Sequence, residues 1–489
     1  MKLKKIAALL AVAGISAPAF ATNGMNMEGY GPVATGMGGA SFAYDNGTAG
    51  MINNPATLGF MKSGTSRLDV AIGGLHPDVV SKMNGVPDAV SGGDAYYMPA
   101  VGYTRKDGKL TYGIGMMAQG GMGTEYGSNS FLSGNPGIRS MTGAMTAPTG
   151  QENRSELGIG RLMIPLAFDV SDSFKLGGSI DYLWGGLDIQ MVMSGQMFGQ
   201  FTQGTSPLGS ASGSMVTTLA GFLAGGCAGP CISDVNWAQF DFSEGSNKMK
   251  QRLKTDGWAG NIGFTWKAAP NLTIGGVYHA KTSLGDMEGN GTLKMNATGA
   301  FFGGGTATLP ITGKLKVVDF QWPETYGIGL AYQVNDQLMV AADYKRIGWK
   351  SVMKNFNMSF VADSVQSDAS AQGMVSAGAT AMNATLYQNW KDQNVFMIGA
   401  AYKYSPALTL RAGLNLANNP VPDAYMNPLF PATIKNTLTL GFGYQFSPVS
   451  SFDFSLTHAP EVSATNNNMG VTTTHAQSNN WQAMYSHRF

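Results

Sequence analysis

Charge is what this chain has least of. Of its 489 residues only 12% are Asp, Glu, Lys or Arg, about half the share of an ordinary soluble domain, so a surface wetted on all sides is hard to build from it. Basic excess is missing too: 31 Lys and Arg stand against 30 Asp and Glu. With no basic stripe, no nucleic-acid partner is expected. Beyond the first residues there is no apolar run of membrane-helix length, and the mean hydropathy is −0.04, which argues against a helical membrane bundle. Cysteine is scarce: Cys227 and Cys231 are the only two, in Gly226-Cys-Ala-Gly-Pro-Cys231. Their spacing is one residue too long for a C-x-x-C redox site and zinc ligands are lacking nearby, so they read as a small disulfide loop. Abundance lies elsewhere, in 67 Gly, 24 Phe, 18 Tyr and 8 Trp. The glycines have no period of three, which excludes collagen. The aromatics exclude a disordered chain.

Lys2, Lys4 and Lys5 precede an apolar stretch from Ile6 to Ile15, and Ala19-Phe-Ala21 fits a signal peptidase site. Residues 1–21 read as a secretory signal, and export favours the disulfide.

The mature chain alternates with a period of two. Leu110, Tyr112, Ile114 and Met116 oppose Thr111, Gly113, Gly115 and Gln119; Trp258, Ile262, Phe264 and Trp266 share another face; Trp481, Ala483, Tyr485 and Phe489 form the last. One parity is large and apolar, the other small or polar, as a strand with two unlike faces requires. Fourteen such segments are counted. Short turns such as Ser171-Asp-Ser173 alternate with long Gly-rich stretches at 120–155, 191–250, 286–322 and 350–392. Short turns at one end, long loops at the other and an even strand number are the pattern of an outer-membrane barrel. The expectation is an all-β, 14-stranded antiparallel transmembrane barrel, residues 66–489, with an N-terminal hatch, residues 22–65, inside its lumen. Its long loops, 191–250 among them, face outward from the cell. The last strand ends on Phe489, resembling the signal read by barrel-assembly machinery.

Residues 22–65 are Gly-rich and lack strand alternation, and they contain Asn54-Pro-Ala56. Together with Gly257-Trp258, Asn261-Ile-Gly263, Trp322-Pro-Glu324, Leu410-Arg-Ala-Gly413 and Pro420-Val-Pro422, this ordered series resembles the FadL family of outer-membrane transporters for long-chain fatty acids and other hydrophobic compounds. The resemblance implies a hatch ending in Asn54, Pro55 and Ala56. It also implies capture in an apolar extracellular groove, transfer to a lumenal site, and release by hatch movement through a gap where the third strand kinks. Gly120 and Gly121 are the candidate wall hinge.

Met191, Met193, Phe198, Phe201, Leu219, Phe222 and Leu223 are the candidate capture residues, because flexible, polarizable methionine suits varied apolar ligands. Parity turns Arg67, Asp69, Arg161, Lys175, Asp181, Lys281, Asp343, Lys345, Arg411 and Asp453 inward, since charge on the lipid face is costly. Most are expected to pair with one another. Arg161, Lys281 and Arg411 are the candidate carboxylate anchors. No metal-ligand or nucleophile motif occurs, so neither an enzyme nor a cofactor is expected. The function expected is uptake of a hydrophobic small molecule across a Gram-negative outer membrane, with long-chain fatty acids first, alkanes or aromatic hydrocarbons second and a general porin third. Membrane lipid and lipopolysaccharide are the expected surroundings, and a monomer the expected state.

Overall fold

The computed structural model describes residues 23–224, 231–242 and 252–489. The signal expected at 1–21 and Cys227 lie outside the described residues. Cys231 is disulfide-bonded.

Antiparallel ladders run from Ser66–Leu75 through Tyr96–Asp107, Leu110–Glu125, Arg154–Asp169, Phe174–Ser194 and Leu253–Ala269. They continue hairpin by hairpin and return with Val471–Arg488, which pairs with Ser66–Leu75. The closure is sealed at its end, where Phe489 N–H donates to the Ser66 carbonyl at 2.9 Å and Ser66 N–H donates back at 3.1 Å. Closure pairs the first strand with the last, so neither of them is left as a free edge for hydrocarbon to meet.

The fold class needs one correction. The sheet holds 23 strands among the described residues, not fourteen. The Gly-rich stretches taken for loops carry strands of their own: Asp234–Phe242, Met287–Thr298, Thr306–Val318, Asn355–Ala362, Ala381–Tyr387 and Gly209–Ser212 pair in that order. They join the wall where Phe174–Ser194 pairs with Asp234–Phe242. Helices Gly195–Thr202, Ser214–Leu223 and Ala369–Ser376 accompany this upper sheet. Together they form a cap above the wall.

The wall wears its apolar residues outside. Trp258, Ile262 and Trp266 are 56%, 62% and 47% exposed, and Ile164, Leu166, Ile180, Ile328 and Ile398 match them around the ring. Two Trp four residues on either side of an Ile place aromatic girdles above and below a hydrocarbon band.

Residues 23–60 are largely buried within the ring. Gly38 N–H donates to Thr439 Oγ1 at 2.9 Å, Thr48 N–H to Asp69 Oδ2 at 2.7 Å, and Gln482 Nε2 to the Gly29 carbonyl at 3.2 Å. Asp343 Oδ2 accepts from Ser41 N–H at 2.6 Å and Phe42 N–H at 3.0 Å. These partners come from strands all round the wall, so the segment occupies the lumen. Wall glycines make room for its backbone: a Cβ on Gly413 would strike Gly38 N, one on Gly275 the Phe42 carbonyl, and one on Gly177 the Ala56 N. The inner-face glycines are therefore contact points.

Candidate functional site: an outer groove, an inner chamber and a gap in the wall

The cap encloses a groove of about 660 Å³ lined by Phe131, Met191, Met193, Phe201, Met426 and Met469 among others. Among the described residues Arg139 is the one charged side chain in that lining, and its Nη1 donates to the Gly143 carbonyl at 3.0 Å. Ser194 Oγ caps the neighbouring helix Gly195–Thr202 by accepting from Met197 N–H at 3.1 Å, which brings Met197 and Phe201 to the groove.

The candidate capture residues divide. Met191, Met193 and Phe201 line the groove. Phe198 and Leu219 line a separate apolar pocket of about 50 Å³ with Met215, Phe240, Met295 and Met382. Phe222 and Leu223 line neither, and Phe222 packs edge-on against Phe301 at 5.2 Å. Sequence reading missed Met426 and Met469, which reach the groove from loops far away along the chain.

Beneath the cap lies a chamber of about 50 Å³ lined by Asn26, Glu28, Gln119, Arg161, Trp322 and Lys345 among others. Arg161 Nη1 meets Asp181 Oδ2 at 2.8 Å, both side chains buried. Arg411 Nη1 meets Asp453 Oδ1 at 2.8 Å. Two of the three candidate anchors therefore already have carboxylate partners. The third, Lys281, is exposed and lies between strands Leu272–His279 and Ser283–Leu284, beyond the end of the strand whose parity pointed it inward. Arg154, which sequence reading passed over, is buried between Glu156 and Asp188 at 3.5 and 3.3 Å.

A gap opens in the wall beside the chamber. Tyr96–Asp107 and Leu110–Glu125 pair only from Asp107 with Leu110 up to Val101 with Met116. Above Met116 the second strand stays paired to Arg154–Asp169 as far as Glu125, with a bulge between Ala118 and Gly120. The first stays paired to Ser66–Leu75 as far as Tyr96. Adjacent strands thus part, helped by Pro99, which has no N–H to offer either neighbour, and by the bulge, which bends its strand. A cavity of about 40 Å³ lies there, lined by Met98, Pro99, Ala100 and Met117 of the wall and by Met27 and Tyr30 of the inner segment.

Gly120 and Gly121 sit in this strand at the bulge, not at the start of a loop. Gly121 N–H donates to the Met25 carbonyl at 3.2 Å, and a Cβ on Gly120 would strike that same carbonyl. Gln119 Nε2 donates to Asn26 Oδ1 at 3.0 Å, and Tyr30 Oη–H to the Gln119 carbonyl at 2.6 Å. Burial pushes the Tyr30 phenol up, so it remains a protonated donor. The inner segment is stitched to the bulge.

Asn54 ties down the far end of the segment. Its Nδ2 donates to the carbonyls of Phe42 at 2.7 Å and of wall residue Phe264 at 3.0 Å, while its Oδ1 accepts from Ala56 N–H at 3.1 Å. Pro55 opens the short helical turn Pro55–Phe60, where its fixed φ fits and its missing N–H is not needed.

A closed barrel with an apolar groove outside, a filled lumen and a parted wall defines an outer-membrane channel for hydrophobic compounds. The chain belongs to the family of outer membrane transport proteins (OMPP1/FadL/TodX), whose model matches residues 8–487. The family is one of transporters, not of enzymes. Among solved structures, the Pseudomonas putida toluene transporter TodX is 30% identical over 95% of this chain and 100% of its own, with a TM-score of 0.76. The Ralstonia pickettii toluene transporter TbuX is 29% identical over 94% of this chain and 99% of its own, with a TM-score of 0.70. A FadL homologue from Pseudomonas aeruginosa, 17% identical over 95% and 99% with a TM-score of 0.62, shares the fold. An uncharacterized protein of Chlorobium limicola, from the 5′ region of a phosphoenolpyruvate carboxykinase gene, is 47% identical over 113 residues, 23% of this chain. The chain spans about half of that relative, 54% of its length.

Proposed function

We propose that this protein carries uncharged hydrocarbons inward across the outer membrane, with monoaromatic rings the best supported. The observation that carries the reading is the outer groove, some 660 Å³ of mostly apolar lining with Arg139 its one charge among the described residues. Ligand collects there among the methionines. It moves to the inner chamber and leaves sideways through the gap above Met116 when the hatch, residues 22–65, releases Gly120 and Gly121. Asn54, Pro55 and Ala56 hold the far end of the hatch in place during that movement. The relatives described as toluene transporters support the monoaromatic class.

A long-chain fatty acid is the second reading, favoured by Arg161 and Lys345 in the chamber lining. The Asp181 partner of Arg161 weighs against it, because an incoming carboxylate must compete with one already paired. Vesicles holding the mature protein in a lipopolysaccharide outer leaflet, offered labelled toluene with and without excess oleate and read above protein-free vesicles, test the choice. Saturable toluene entry indifferent to oleate is expected; entry of oleate alone contradicts the hydrocarbon reading.

A further inference from the structure

Rings separate the outer groove from the inner chamber. Phe430, beside Leu429 of the groove lining, lies 6.2 Å from Phe356, which lies 6.4 Å from Phe320. Phe320 is 6.2 Å from Trp322, a chamber residue. From Trp322 the file turns to Trp349 at 5.8 Å and on to Trp390 at 5.3 Å, each pair edge-to-face at 65°. All three indoles are at least 98% buried. They come from the upper ends of three wall strands: Trp322 precedes Thr325–Gln333, Trp349 follows Leu338–Ile347, and Trp390 precedes Gln393–Lys403.

The inner segment and the wall bulge both rest on this file. A Cβ on Gly24 would come within 2.6 Å of Trp349 Nε1, and one on Gly120 within 2.9 Å of Trp322 Cζ2. Trp322 Nε1 donates to Asn26 Oδ1 at 2.6 Å and Trp349 Nε1 to Gln393 Oε1 at 3.3 Å. Trp390 Nε1, fully buried, has no hydrogen-bond partner among the described residues. A buried N–H without an acceptor is destabilising, and the electron-rich face of an aromatic ring is an acceptor it can use.

We propose that this aromatic file selects planar rings over saturated molecules of the same size. The inference rests on the hydrocarbon-carrier reading and names the residues that set its preference. A planar aromatic ligand enters the file by taking a ring's place in an edge-to-face array, and Trp390 Nε1–H meets its π-face. A saturated ring of equal size offers neither contact.

Uptake of toluene and of methylcyclohexane by vesicles that carry the mature protein in a lipopolysaccharide outer leaflet, measured above protein-free vesicles, tests this. Wild type is expected to favour toluene. Trp349→Leu should cut the toluene-to-methylcyclohexane rate ratio about fivefold, the size of an aromatic-pair preference, with methylcyclohexane entry nearly unchanged. Trp390→Phe keeps a ring and removes the N–H, so it should cut the ratio about twofold, and it carries the test alone if Trp349→Leu fails to assemble a heat-modifiable barrel. Folded variants with the wild-type ratio overturn the proposal. A wild type that admits neither hydrocarbon faster than protein-free vesicles do overturns the carrier reading beneath it.

Discussion

Wall and cap are made of the same antiparallel ladders, yet they turn opposite faces outward. In the wall the large apolar parity is exposed and the small polar parity is buried; in the cap Phe240, Leu309, Met358 and Phe360 are buried while Thr308, Asn357 and Asn383 are exposed. The strand Phe174–Ser194 makes the switch within its own length. Leu176 and Ile180 point out and Asp181 points in, but from Leu183 the inward parity reads Leu187, Ile189, Met191 and Met193, all buried. The backbone does not change at that level. What changes is the medium outside, from hydrocarbon to water, and the outward side chains follow it. Strand parity alone therefore says which residues share a face, and the medium says which face is the core.

Substitutions of equal chemistry should therefore have unequal effects in the two regions. The largest effect belongs to the lumenal ion pair: Arg161→Ala strands Asp181 in the interior and should cost about 3–5 kcal/mol in urea unfolding, largely recovered by adding Asp181→Ala. Its counterpart in the cap, the exposed Lys316–Glu288 pair, should give no measurable change on Lys316→Ala. Next, Ile262→Lys, between the two girdle tryptophans, should cost about 2–4 kcal/mol, while Thr308→Lys on the water-facing cap should be silent. Equal costs at both sites would deny the hydrocarbon band.

A smaller effect sharpens the functional half. Met197→Ser with Met469→Ser, both partly exposed in the groove, should raise the toluene concentration for half-maximal uptake about tenfold through lost apolar contact, with the unfolding midpoint unmoved. An unchanged uptake curve would remove the groove from the route.

The smallest is a pH effect at the tie between inner segment and wall, where Asp45 meets Arg67 at 2.7 Å. Burial pushes the Asp45 carboxyl up, but the Arg67 guanidinium outweighs it and holds the carboxyl below its usual range. A carboxyl depressed in the folded state stabilises above its unfolded value and loses that contribution as pH falls through the folded one. The stability gap between wild type and Asp45→Asn should therefore be present at pH 7 and shrink below about pH 4.

The wall was legible in the sequence because lipid demands a strong signal. Ile262 between Trp258 and Trp266 admits few other readings. The cap strands were not, although Leu309, Ile311, Leu315 and Val317 do alternate, because their neighbours are the Gly, Thr and Asn of ordinary loops. In Met287–Thr298, Gly289 and Gly291 interrupt the apolar parity altogether. The site was half legible. Met191 and Met193 could be found because they lie on one strand, whereas the groove closes only when Phe131, Met426 and Met469 arrive from separate loops. For Lys281 parity carries little, because the residue lies past the end of its strand and parity holds only while a strand lasts. The indoles of Trp349 and Trp390 carried no local signal at all, since their meeting is a property of the fold.

The proposed route ends in the parted wall above Met116. Ala100→Cys with Met117→Cys places two thiols on opposite lips of the gap, and toluene uptake is then measured before and after oxidation, and again after reduction. Uptake is expected to collapse when the lips are joined and to return on reduction. Undiminished toluene entry through a barrel shown to carry that cross-link would contradict that route.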